Sequence, residues 1–215
     1  MSPGPNALLL RVQRGLESLY ALAPEAPVTD FVIPAAEAEA YPGDGSRTLV
    51  RENAEGLSVG VILAGGVCDD LSGSDPRSRL DRANLGSFCV LTEEVSHFLL
   101  LLFRARWERP VSQLELELQA EVDKYLITVL LLSLQNEGAA STHLRTLLFR
   151  RYHLAEGLSP ERAERYRTAS RLAERYCAWL ESTFLKRARL CDLTREARRF
   201  YRMGQREKLE AIAKI

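Results

Sequence analysis

The chain has 215 residues, and its 29 basic and 29 acidic side chains give a formal net charge of zero, which leaves no general electrostatic grip on nucleic acid. Its 46% hydrophobic and 27% charged content is that of a soluble globular protein, and the length suits a single domain with a sizeable core. The four cysteines form no CxxC pair and follow no secretory signal, a pattern that points to reduced, buried thiols in a cytoplasmic protein.

Met1 to Asn6 is a Pro/Gly leader expected to fray. Ala7 to Leu22 reads as an amphipathic helix, with Leu8, Val12, Leu16, Leu19 and Tyr20 on one stripe. Pro24 and Pro27 end it. Phe31-Val32-Ile33 suggests a short strand over Val28 to Pro34. Tyr41 to Ser46 is turn material, and Arg47 to Arg51 alternates as a strand. A second turn at Asn53 to Gly56 leads to a β-branched strand over Leu57 to Leu63, so the pair is expected to form a hairpin. Ala64 to Pro76 is small, acidic and Gly-rich and reads as a loop. Its glycines have neither dinucleotide-fingerprint spacing nor a Walker lysine.

From Pro76 the pattern turns helical. Arg77 to Asn84 forms a turn that leads into a Leu-rich helix running to Arg106, which Arg109-Pro110 closes off. Further helices are expected over Val111 to Gln135 and Ala139 to Tyr152. Ser159-Pro160-Glu161 supplies an N-cap and a first-turn proline for a long helix to about Lys186. Thr194 to Ile215 reads as the last helix, and its basic residues (Arg195, Arg198, Arg199, Arg202, Arg206, Lys208) mark a solvated face or a surface for an acidic partner. Phe98 to Phe103 and Tyr125 to Leu134 are too short to span a bilayer, so no membrane segment is expected. The fold class is α+β, mostly helical, with a small N-terminal antiparallel sheet. The single domain divides into a helix-plus-sheet part (1–75), a central pair of helices (76–152) and a C-terminal helical part (153–215).

The chemistry concentrates on the Leu-rich helix. Phe88, Leu91, Val95, Phe98, Leu99, Leu102 and Phe103 form one apolar face. Glu93, His97 and Arg104 lie on the other, but Val90, Leu100 and Leu101 share it, so the helix is expected to be covered on both sides. Carboxylates and an imidazole on such a helix need a metal or a charged partner.

Glu93-Glu94-Val95-Ser96-His97 is an HExxH pattern with Glu in place of the first His. Its outer residues stand one helical turn apart, as two zinc ligands on one face do, and a carboxylate is an accepted zinc ligand. The next helix carries Glu117 and Glu121, also one turn apart, and Glu117 lies twenty residues beyond His97. On these two motifs the chain resembles the thermolysin-like zinc metallopeptidases, the gluzincins. The resemblance spans Leu57 to Glu121. It implies a zincin-like helix pair with Glu93, His97 and Glu117 as zinc ligands, Glu94 as general base and Glu121 bracing His97. The strand over Leu57 to Leu63 would be the substrate-binding edge, and a peptide or protein the substrate.

The sequence departs from the family at Glu93. One His with two carboxylates carries extra negative charge, selects zinc less well and acidifies bound water less. His143, His153, Tyr125 and Tyr152 are the residues available to steady an oxyanion. An inactive zincin-like descendant is therefore one alternative. A second is a non-catalytic helical interaction module, in which Glu93, His97 and Arg104 form a buried salt-bridge network that Glu117, Glu121 and Lys124 complete. A third takes Glu94 and His97 as the ExxH of a ferritin-like di-iron bundle, but neither His143 nor His153 supplies the second ExxH.

Overall fold

The computed structural model describes residues 5–41, 43, 45–53, 56–136, 143–150 and 157–215. Most of them are helical and one two-stranded antiparallel sheet accompanies the helices, the expected mostly helical α+β class. The chain forms two compact units, one made of Met1–Glu17 with Ala23–Arg109 and the other of Ser18–Leu22 with Pro110–Ile215.

Helix α1 (Pro5–Tyr20), which belongs to the first unit as far as Glu17, buries Leu8, Leu9, Val12 and Leu16, the residues that its 3.6-residue period places on one side. Buried Gln13 shapes the return after the helix. Its amide donates to the Ala26 carbonyl at 3.1 Å, and its oxygen accepts from the Val28 N–H at 2.7 Å.

The strand expected over Val28 to Pro34 is not formed. Val28–Phe31 is a turn of 3-10 helix, and only Val32 makes a bridge, parallel to Val61. Prolines 27 and 34 hold the backbone extended at either end, so the β-branched residues between them are left too short a run to pair. A single turn of helix, α2 (Ala35–Ala38), follows.

Strands β1 (Arg47–Asn53) and β2 (Gly56–Ile62) form the expected hairpin, with Thr48 opposite Val61 and Leu49 opposite Gly60. Residues 42, 44, 54 and 55 of the two predicted turns lie outside the described set. Gly60 is where Ile33 crosses the sheet, since a β-carbon there would stand 2.7 Å from Ile33 Cδ1.

The segment expected as a loop contains a helix, α3 (Gly65–Gly73), which buries Leu71 and packs on the next helix. Gly65, Gly66 and Gly73 are all terminal, where their cost to a helix is small. Buried Asn84 then organises the turn. Its side chain donates to the carbonyls of Ser74 and Arg79 (3.1 and 2.8 Å) and accepts from the Asp81 N–H at 3.0 Å.

That turn delivers helix α4 (Leu85–Arg106), which packs on α3 and on both strands. Its predicted apolar residues Phe88, Leu91, Val95, Phe98 and Leu99 are buried, and so are Leu100 and Leu101 on the other side, as a helix covered all round requires. Phe31 stacks at a tilt on Phe98, ring centroids 4.9 Å apart. By length and composition alone α4 could cross a bilayer, but 56% of its apolar window is buried inside the protein, and Glu94 and Arg104 lie within its span.

In the second unit, helix α5 (Gln113–Gln135) starts at Ser112, whose hydroxyl accepts the Glu115 N–H at 3.0 Å. Within the helix predicted over Ala139 to Tyr152, α6 (Leu144–Arg150) is seen; residues 139–142, 151 and 152 lie outside the described set. Helix α7 (Pro160–Thr183) opens on the Ser159 cap and packs along α5. Ala169, Ala173 and Cys177, spaced one turn apart and fully buried, let the two helices approach closely.

The single C-terminal helix expected over Thr194 to Ile215 is two helices, α8 (Leu190–Arg202) and α9 (Gln205–Ala213). They part at Met203-Gly204, both extended, and the Gly204 N–H is taken by Glu207 at 2.9 Å. Tyr176 stacks on Phe200 and Tyr20 on Tyr201, with centroids 3.9 and 4.2 Å apart.

Candidate metal centre

Glu93 and His97 stand one turn apart on α4, and Glu117 lies in the first turns of α5. One carboxylate oxygen from each Glu and one ring nitrogen of His97 all lie within 4.8 Å of one another. The Glu117 carboxylate is buried and the other two side chains are half-buried. This Glu93–His97–Glu117 group could hold a metal ion. Two carboxylates and an imidazole form a mixed oxygen–nitrogen donor set, suited to first-row divalent ions.

Glu94, the residue in the general-base position, is 4% exposed. Its Oε2 accepts a hydrogen bond of 2.7 Å from the hydroxyl of Thr48 on β1 and stands 4.0 Å from His97 Nδ1. The first contact is a charge-assisted hydrogen bond. The second is too long for a hydrogen bond. Thr48 belongs to no motif and cannot be found by spacing along the chain, because the contact joins residues 46 positions apart.

Glu121, expected to brace His97, accepts from Lys124 at 2.9 Å, one turn along its own helix. Of the residues considered for an oxyanion, Tyr125 is buried and its hydroxyl donates to Glu181 at 3.3 Å. Burial, with Cys177 and Glu181 beside it, pushes that phenol well above its ordinary range. His143 is exposed, and Tyr152 and His153 lie outside the described residues.

A separate polar cluster inside the second unit shows no motif in sequence. Tyr20 donates its hydroxyl to Asp123, and the Gln119 amide donates to Asp123 Oδ1 at 2.8 Å and to the Tyr20 oxygen at 3.2 Å. All three residues are essentially inaccessible. Gln119 and Asp123 stand one helical turn apart on α5, but Glu117, Glu121 and Lys124 beside them hide the pair among ordinary charged positions. Nearby, fully buried Lys208 reaches Glu115 at 3.4 Å and stands over the Phe200 ring.

Compared with protein-family models, with curated proteins and with solved structures, the chain matches none.

Proposed function

We propose that the chain is a zinc-dependent hydrolase acting on a peptide bond, with Glu93, His97 and Glu117 as the metal ligands and Glu94 as the general base. The observation that carries this reading is the grouping of those three ligand atoms within 4.8 Å, in a set made up of an i, i+4 pair and a third residue twenty positions on. Bound zinc would polarise the scissile carbonyl and make water a nucleophile near neutral pH. Glu94 accepts the proton of the attacking water and returns it to the leaving amine. That role is supported by its place beside His97 and by the hydrogen bond it accepts from Thr48. We further read α4 as a core helix, because Glu94 and Arg104 are buried within its span and would be costly in hydrocarbon.

Metal analysis after zinc-replete purification tests the reading, with one equivalent of zinc expected. Glu94→Gln keeps the metal and loses hydrolysis of a peptide mixture, since an amide preserves the shape but accepts no proton. His97→Ala loses both. No metal in the wild-type protein defeats the hydrolase.

The half-buried Lys124–Glu121 pair favours a second reading, a non-catalytic helical module that binds another protein and carries ion pairs in place of a metal. It predicts no zinc and no hydrolysis by any variant.

A further inference from the structure

We propose that Thr48 is a positioning residue that holds the Glu94 carboxylate away from the metal and so keeps one coordination position open. The inference rests on the metal-ligand reading of Glu93, His97 and Glu117.

Glu94 has the reach to be a ligand itself. It lies between Glu93 and His97 on α4, and its Oε2 is 4.0 Å from a ring nitrogen of His97. A Glu side chain has three rotatable bonds, and a divalent ion held by its neighbours would draw a buried carboxylate inward. Four protein ligands would then surround the ion, the closed arrangement of a structural site. Three protein ligands and an open position make a hydrolytic one.

A feature opposing that collapse is the Thr48 hydroxyl. It donates to Glu94 Oε2 at 2.7 Å and also lies 3.4 Å from the Glu94 main-chain carbonyl. The shorter contact, to a charged acceptor, is the stronger. Thr48 itself has little freedom. It is β-branched and therefore stiff at χ1, and its strand position is set by pairing with Val61. Val61 is in turn fixed by the Val32 bridge and by the Ile33 N–H, which reaches the Val61 carbonyl at 2.8 Å. A hydroxyl on a braced strand thus anchors a flexible acid on the helix. The same anchor argues against a di-iron site, in which Glu94 and His97 would both ligate.

The test uses cobalt(II) as the metal probe and acetohydroxamate as the ligand for the open position, read by the visible cobalt spectrum. Wild type and Thr48→Ser, which keeps the hydroxyl, bind cobalt and show a spectral change when acetohydroxamate is added. Thr48→Val has nearly the same shape and branching but no hydroxyl. It binds cobalt and loses the response, because Glu94 fills the position. The double variant Thr48→Val/Glu94→Gln regains the response. Thermal melts confirm that each variant is folded. A Thr48→Val protein that responds like wild type overturns the inference, as does a cobalt-loaded wild type that ignores acetohydroxamate. A wild type that takes up no cobalt defeats the metal-site reading itself, and the inference with it.

Discussion

Arg198 donates from Nε to the main-chain carbonyl of Leu19 at 2.9 Å, across 179 residues of sequence. Its Nη2 reaches the Ser18 carbonyl at 3.2 Å, and Arg202 reaches that of Ala21 at 3.3 Å. These carbonyls lie at and just beyond the C-terminal end of α1, where no further turn of helix follows and the helix dipole favours a cation. Ala21 stands in the left-handed region, φ 49°, so the chain leaves α1 sharply and these oxygens open outward. The basic face of α8 therefore works as an internal cap. Arg195 and Arg199 are similarly paired, with Asp192 and Glu196.

Arg198→Ala should cost about 1–2 kcal/mol, the size of a charged cap with partly buried partners, and Arg198→Lys should recover only part of it, because one ammonium cannot span two carbonyls. Urea denaturation followed by far-ultraviolet circular dichroism measures both. A loss below a few tenths of a kcal/mol would return these arginines to the solvated face that their sequence suggests.

The parts of the fold that were legible in the sequence are those set by local rules. Ser159 announces α7 because an N-cap acts within three residues. Glu93 and His97 share a face by helical period alone. Missed or misread elements depend on distant partners or on weak local preference. The Gly65–Gly73 helix forms because Leu71 is buried and α4 lies beside it, against a composition that favours a loop. Val32 joins the sheet at one bridge only, a matter of where Val61 sits. The break at Gly204 lies inside a continuous run of helix formers, and Glu207 stabilises it by capping the new helix. Thr48 and Tyr20 reach their acidic partners across 46 and 103 residues, beyond any spacing argument.

The Tyr20–Asp123 bond makes a prediction in stability and one in pH. Phe at position 20 keeps the stack on Tyr201 but removes a hydrogen bond to a buried carboxylate and an acceptor for Gln119. Tyr20→Phe should lose about 1.5–3 kcal/mol in a urea melt at neutral pH. Burial first, then the Asp123 charge, raises the Tyr20 phenol well above 10.0. In alkali the unfolded chain therefore ionises this phenol before the folded protein does. Its contribution is whole below about pH 10 and shrinks as pH rises toward the folded-state value. The wild-type stability curve should thus fall more steeply above pH 10 than that of Tyr20→Phe. Parallel alkaline limbs would contradict the assignment.

Glu181 governs the acid side of the same unit. Burial alone would raise its pKa, but hydrogen bonds from Lys186 and Arg145, and their charges, outweigh it and hold the carboxyl below its ordinary 4.5. Arg145 reaches both Glu181 and Glu174, at 3.3 and 3.4 Å, and so ties α6 to α7. A carboxyl with a lowered folded-state pKa contributes its full stability above about pH 4.5 and loses it as pH falls through the folded-state value. Glu181→Gln should cost about 1 kcal/mol at pH 7, in the range of a partly exposed ion-pair network. The gap from wild type should close as pH drops below 4.5. Denaturation midpoints across that window check it, and a gap that stays constant would show that the loss is one of packing.

The last prediction separates the metal site from the salt-bridge network by sign. Glu93, Glu94 and Glu117 are three carboxylates associated with one His, and like charges so placed repel. If the group exists to hold a cation, Glu117→Gln removes a repulsive charge from the metal-free protein. Stability in chelator should then stay level or rise slightly. The same variant should lose much of the stabilisation that zinc confers, about 2.7 kcal/mol for wild type at a hundredfold excess over the dissociation constant. If Glu117 instead serves a buried cation, the substitution strips that cation of its partner and should cost roughly 3–5 kcal/mol. Added zinc would leave that loss unchanged. Thermal melts of both proteins, in chelator and in zinc, give four midpoints whose pattern differs between the two cases. A large drop in chelator that zinc fails to alter would remove the hydrolase and leave the interaction module.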